Sequence, residues 1–301
     1  MEIKKASVGP GELAYCVFGT GKVDLVIEMG LGAVMGEWWQ LAQRLSEKHT
    51  VLLYERAGYG SSEPSPAERI PKNIARELHE LLEALGHESK VTLLAHSQGG
   101  LYAQQFARSY PELVERLVLL DPLSPRDNEF RVRLTRSEFQ KSGVDKTGGL
   151  RLNLLLARLH LGWLLRRIMR TAPPFYYYDG FSEEETKYIL AAISRPQTYE
   201  TALREYAAAH DERLLGELAS SEGFPPIPVV LITHDSEIEK QEICRFGGAS
   251  EEETQKIENV WQELMGEYLS YSPDSTHLRA EHSSHYIHLT DPELICEVLA
   301  E

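Results

Sequence analysis

Five short segments, VDLVIEMG (23–30), HTVLLYER (49–56), KVTLLAHS (90–97), ERLVLLD (115–121) and IPVVLITHD (227–235), share one plan. Each is a nearly unbroken apolar run that stops at a glycine, a serine or a charged residue. A strand with one wet face alternates apolar and polar side chains, so a run apolar throughout suits a strand buried on both faces, as in a parallel sheet. Helical periodicity fills the intervals at 37–47, 72–85 and 99–110. Strand alternating with helix predicts an α/β fold: a mostly parallel central sheet with helices on both faces. ELAYCVFGTG (12–21) reads as a further strand in an antiparallel hairpin at the sheet edge. The alternation stops near Asp121 and resumes near Ile227, and the segment between reads as helices and loops. The expected organisation is a core of 1–125 and 225–301 with an inserted helical cap, 126–224.

Charge excludes one class of partner. A formal net charge of −15 is the wrong sign for nucleic acid, whose phosphates need a concentrated positive surface. The amino-terminal segment lacks the apolar stretch of a signal peptide. No segment offers the roughly 18 to 20 uncharged apolar residues of a membrane span. Cys16, Cys244 and Cys296 are odd in number and scattered, which suggests neither a disulfide framework nor a zinc site. The expectation is a soluble, cytoplasmic protein without metal or organic cofactor. One stretch runs against the overall charge: Arg126 to Arg170 holds eleven Lys/Arg and four carboxylates, a net of +7 that leaves −22 for the rest. Within it, LRLNLLLARLHLGWLLRRIMR (150–170) reads as a basic amphipathic helix. Such a helix either covers its own core, the reading preferred here, or makes weak contact with a membrane surface.

The chemistry concentrates at strand ends, where open α/β sheets gather ligands. Ser97 ends the KVTLLA strand and opens a helix, in the frame Ala95-His96-Ser97-Gln98-Gly99. Small residues at both flanks allow the sharp turn of a nucleophile elbow, with Ala95 where a glycine is usual. The Gln98 N–H, at the helix start, can donate to a developing oxyanion. A capping serine on an ordinary strand-to-helix turn would look similar. A serine hydroxyl is a weak nucleophile without a base, and RAEHSSHYIHLTDPELI (279–295) supplies three histidines. His285 fits best, after a strand-like HLRAE and two serines and before a helix beginning near Asp291. His282 and His288 flank it at three residues, without a carboxylate or cysteine at helix-face spacing to suggest a metal. His288 is expected to pack or face solvent, and His96 to be structural.

VIEMGLG, LLYERAGYGSSEP, LLAHSQGGLYAQQFARSYPELVERLVLLDP and HSSHYIHLTDPELI, in this order, resemble the α/β-hydrolase superfamily. The likeness is to its cap-bearing serine hydrolases of the esterase and lactonase kind. It spans about residues 12–125 and 225–300. The resemblance implies a Ser-His-acid triad and an oxyanion hole, whose second donor by position is Leu31. Met29 stands where many members carry a histidine, a change that a backbone donor tolerates. Dehalogenases and epoxide hydrolases of this fold use an aspartate at the elbow, so Ser97 argues against both. The acid departs from the common pattern. Most members place it after the strand matching IPVVLIT, where THDSEIEKQEI offers Asp235 and Glu237, both slightly out of place. Some take it from the preceding strand, here Asp121 of LVLLDP. Asp121 is preferred, because a charge ending a fully apolar strand demands a partner; Asp235 and Glu237 stay open.

The resulting expectation is an enzyme that cleaves a small carboxylic ester or lactone through an acyl-enzyme. Ser97 attacks, His285 acts as base and then acid, Asp121 orients His285, and the N–H groups of Leu31 and Gln98 hold the oxyanion. The basic cap favours anionic or amphiphilic substrates. Glu55 and Arg56 are read as structural, Trp38 and Trp39 as core and entrance-lining, and FYYYDGF (175–181) as a pocket wall or buried hinge. Rival readings are a ligand-binding protein that turns over slowly or never, a proline-iminopeptidase-like aminopeptidase, and a membrane-surface lipase using 150–170. The aminopeptidase would need acidic cap residues to hold a substrate amine.

Overall fold

The computed structural model describes residues 2–145 and 147–300; Lys146, one of the cations of the basic stretch, lies outside the described residues. The first part of the chain forms β1 (Lys4–Val8), β2 (Gly11–Phe18), β3 (Leu25–Glu28), α1 (Trp39–Leu45), β4 (Val51–Tyr54), α2 (Pro71–Ala84), β5 (Val91–His96), α3 (Gly99–Ser109) and β6 (Val114–Leu120). Helices follow without a strand among the described residues: α4 (Glu129–Arg133), α5 (Arg136–Lys141), α6 (Thr147–Arg158), α7 (Gly162–Met169), α8 (Glu183–Ala192), α9 (Pro196–Ala208) and α10 (Glu212–Leu215). The chain closes with β7 (Val229–Thr233), α11 (Ser236–Glu242), α12 (Glu251–Tyr268), β8 (Ser275–Arg279), α13 (Ile287–Thr290) and α14 (Pro292–Ala300).

The strands form one sheet in the order β1-β2-β4-β3-β5-β6-β7-β8. β1 and β2 are an antiparallel hairpin at one edge, β2 runs antiparallel to β4, and the remaining pairs are parallel. The unbroken apolar runs are explained by the two cores. In β5, Leu93 and Ala95 pack on the side of α2, α3 and α12, whereas Leu94 packs on the side of α1 and α14. β6 divides the same way, Leu117 and Leu119 against Val118 and Leu120. With both faces covered, alternation of polarity disappears from the sequence although alternation of direction remains. The edge strand β8 is polar and mostly exposed, which protects it from pairing with another chain.

The continuous helix expected over 150–170 is two helices. The chain turns at Leu159–Leu161, where His160 takes a left-handed φ of +59°, and Gly162 opens α7 close to Ser194. The turn brings Leu165 of α7 and Ala157 of α6 together onto Tyr199 of α9. A straight helix would carry Leu165 away from that contact.

Candidate active site

The carboxyl ends of β5, β6 and β7 and the loop after β8 converge on one point. Ser97 leaves β5 with φ +54°, a strained value for a residue with a side chain. The Ser97 N–H donates to Leu120 O at 3.0 Å and its carbonyl accepts from Leu123 N at 2.9 Å, so the turn is pinned to the end of β6. Gly99 follows because the helix starts hard against β3: a Cβ there would lie 2.3 Å from the Glu28 carbonyl oxygen. Any larger residue would push α3, and the Gln98 N–H at its start, off the strand.

Asp121, His285 and Ser97 form a line of hydrogen bonds. His285 Nδ1 lies 2.6 Å from Asp121 Oδ2, and its Nε2 lies 2.9 Å from Ser97 Oγ. With the ring proton on Nδ1, the imidazole donates to the carboxylate and accepts from the serine hydroxyl. Asp121 is buried and also takes a left-handed φ, +44°, which turns its carboxylate away from the strand axis. Asp235 does something else. It caps α11, its Oδ1 accepting from Glu237 N at 2.9 Å and Ile238 N at 3.1 Å, while Glu237 is exposed and pairs with Lys240.

A second imidazole reaches Asp121, and the sequence did not disclose it. His234, at the end of β7, sets its Nδ1 2.9 Å from Asp121 Oδ1, and its backbone N–H donates to the same oxygen at 3.1 Å. Its Nε2 lies 3.2 Å from Glu258 Oε2 on α12, and the Trp261 ring covers it at 3.9 Å. Burial opposes a charge on His234, yet the adjacent Asp121 carboxylate and Glu258 outweigh burial and raise its pKa well above the usual histidine range. Burial also works against ionised Asp121, and the charge of His234 with both imidazole hydrogen bonds overcomes it, holding the carboxyl far below its ordinary value. Both shifts favour the ionised pair. Its one trace in the sequence is the histidine beside Asp235 in THDSE; Glu258, twenty-four residues on, carries no mark.

The other histidines support the turn. His96 Nε2 bonds the His285 carbonyl at 2.8 Å, tying the end of β5 to the loop that carries His285. His288 stacks flat on Trp38 at 3.9 Å, and burial lowers its pKa so that it stays neutral. His282 is exposed. Trp38 and Trp39 are core residues; neither lines the cavity, so the entrance-lining part of their expected role fails.

Arg56 does more than hold its own loop. It donates to the Met29 carbonyl at 2.5 Å and the Gly30 carbonyl at 2.9 Å, fixing the segment that ends at Leu31. It pairs with Glu28 at 2.7 Å and with Glu205 of α9 at 3.0 Å, and Glu205 in turn pairs with Arg69. Burial alone would neutralise Glu205, but Arg56 and Arg69 hold its pKa below the usual value. Buried charges persist when every one is matched, and breaking one pair leaves the others exposed to low dielectric. Glu55, also buried, accepts from the N–H groups of Met35 and Ser61 and from the Tyr188 hydroxyl.

Above the serine opens a cavity of about 530 Å³. Leu31, Ser97, Gln98, Asp121 and His285 all line it. Its walls are mainly apolar, from Phe130 and Val144, from Tyr176 and Tyr177 of the aromatic run, and from Ile257, Trp261 and Leu264 of α12. The expectation that basic residues favour anionic substrates is corrected here: among the described lining residues none is lysine or arginine. The carboxyl and imidazole side chains that line it are those of Asp121, Asp127, Glu239, Glu258, His210, His234 and His285. The arginines of 126–170 point outward instead. Glu239 is distinctive, since its Oε2 is buried without a hydrogen-bond partner among the described residues and burial raises its pKa.

Known proteins agree with this architecture. A family model described as alpha/beta hydrolase fold matches residues 25–233. An AB hydrolase superfamily protein of Gibberella zeae is 25% identical over 90% of this chain and 83% of its own length. Several other relatives are matched over half their length or less, among them a putative carbamate hydrolase, RutD, of Azorhizobium caulinodans, 28% identical over 41% of this chain and 46% of its own. Among solved structures, the epoxide hydrolase CorEH superposes with a TM-score of 0.69 at 22% identity, covering 99% of this chain and 96% of that one. The enol-lactonase of Burkholderia xenovorans does so at 0.62 and 16%, covering 99% and 98%. At these identities the structural likeness speaks for the fold alone. With the model spanning most of the chain and the sheet order, elbow and strand-end site in place, the chain belongs to the alpha/beta hydrolase fold family.

Proposed function

We propose that the protein is a serine hydrolase that cleaves carboxylic esters or lactones through an acyl-enzyme. The observation that carries this reading is the unbroken hydrogen-bond line from Asp121 through His285 to Ser97 at the base of a mainly apolar cavity. Ser97 Oγ attacks the acyl carbon while its proton passes to His285 Nε2. The N–H groups of Gln98 and Leu31 receive the oxyanion, the latter on the segment clamped by Arg56; a donor of this kind contributes about 10²- to 10³-fold in rate. The imidazolium, oriented by Asp121, gives its proton to the leaving alkoxide. Water then attacks the acyl-enzyme, passing a proton to His285, which returns it to Ser97.

Asp121 works from an ionised pair with His234, so one face of the triad acid is already neutralised. That restrains how strongly Asp121 holds the His285 imidazolium, and favours return of the proton to the leaving group. The apolar walls and the absence of lysine and arginine among the described lining residues support a neutral acyl group. The aminopeptidase reading would need the acidic cap residue on this wall, Asp127, whose Oδ2 lies 3.0 Å from His210 Nε2.

The test is hydrolysis of p-nitrophenyl esters from acetate to laurate and of simple lactones, with Ser97→Ala alongside. Turnover that varies with chain length and vanishes in the variant is expected. Tight ligand binding without turnover above the Ser97→Ala background would replace the reading with a binding protein on the same scaffold.

A further inference from the structure

The surface of α6 and α7 is built unlike the rest of the molecule. Between Asp145 and Asp179 the chain has six Lys/Arg and no carboxylate, in a protein whose net charge is −15. Among the described residues nine large apolar side chains are exposed, and five of them lie here: Leu152, Leu155, Leu159, Trp163 and Ile168, each 44–59% accessible. Leu152, Leu155 and Leu159 share one face of α6 by helical spacing, and Arg151 and Arg158 flank it. On α7, Trp163 shares a face with Arg166, Arg167 and Arg170. The inward sides of both helices are already used, through Ala157 and Leu165 on Tyr199. The outward leucines and tryptophan therefore contribute nothing visible to the core.

We infer that this face docks on an anionic phospholipid surface. Leucine and tryptophan interleaved with arginine suit the boundary between headgroups and acyl chains, where apolar groups sink about 5–10 Å and guanidinium heads stay level with phosphates. Arg158 is shared with Glu200, but among the described residues no carboxylate pairs with Arg151, Arg167 or Arg170. Elsewhere the excess of carboxylates repels such a surface, so charge alone selects the docking face. The consequence for the cavity follows from chain continuity. α7 ends at Met169, and Thr171, Ala172, Pro173, Tyr176 and Tyr177 then line the cavity wall. Docking would set that wall beside the lipid and place amphiphilic substrates at its edge.

The test is co-sedimentation of the full chain with phosphatidylcholine vesicles, with and without phosphatidylserine, at low and high salt. Two variants accompany it, Arg151→Glu/Arg167→Glu/Arg170→Glu and Leu155→Ser/Trp163→Ser. All five positions are exposed, and turnover of a water-soluble ester serves as the check that the variants are intact. Binding is expected only with phosphatidylserine, weakened by salt, and reduced roughly tenfold or more in each variant. No binding above phosphatidylcholine, or binding unchanged in both variants, overturns the inference. So does a dimer in sedimentation velocity that both variants dissociate while vesicles stay unbound, which would give the face to a second copy. The assay reads binding, so its failure leaves the acyl-transfer reading untouched.

Discussion

Two aspartates follow neighbouring parallel strands and meet opposite fates. Asp121, after β6, turns through a left-handed residue into the interior and contacts two imidazoles. Asp235, after β7, stays half-buried and caps α11. The residue before Asp235, His234, explains the exchange. It occupies the interior end of β7 and directs its ring at Asp121. A carboxylate at the end of β7 is thereby replaced by an imidazole that serves the carboxylate on β6. The lesson is that a strand end has one inward position, and whichever residue takes it joins the site.

Substitutions break or sharpen this contrast in a graded order. Ser97→Ala should have the largest effect, lowering kcat for a p-nitrophenyl ester by about 10⁴-fold or more with the fold intact. Asp121→Asn should lower it by about 10³- to 10⁴-fold, because the amide favours the wrong imidazole tautomer. His234→Gln should cost about tenfold in kcat with little change in KM, through the loss of a charged hydrogen bond to the acid. Asp235→Ala should cost about 0.5–2 kcal/mol of stability as a lost helix cap and leave turnover within about twofold. An Asp235→Ala variant as inactive as Asp121→Asn would reverse the contrast.

Thermal stability sharpens the same comparison through pH. His234 has a raised pKa when folded, so its contribution is full below its unfolded value and is lost as pH rises through the folded one. Asp121 has a depressed pKa, so its contribution is full above its unfolded value and is lost as pH falls. The Tm gap between wild type and His234→Gln should therefore be widest between roughly pH 4 and 6.5 and shrink on either side. A gap independent of pH would mean that the His234–Asp121 pair is not ionised.

The sheet, the elbow and the histidine were legible because each is encoded locally: apolar runs between helices, small residues flanking Ser97, and a histidine after the last strand. His234 and Glu258 were not, because their meeting depends on how α12 lies across the end of β7, which no local pattern records. Arg56 was read as structural from its loop, yet its partner Glu205 comes from a helix about 150 residues later. The split of 150–170 was hidden by periodicity that runs unbroken through the turn at His160. The outward direction of its arginines was hidden too, because net charge says nothing about which way side chains face.

The most direct test of the acyl-transfer account is intact-protein mass spectrometry after reaction with a fluorophosphonate, with the adduct mapped by peptide. The account predicts one adduct, on Ser97, forming far more slowly in Asp121→Asn and at near wild-type rate in Asp235→Ala. A folded, ester-hydrolysing protein that leaves Ser97 unlabelled, or that labels equally fast without Asp121, would contradict it.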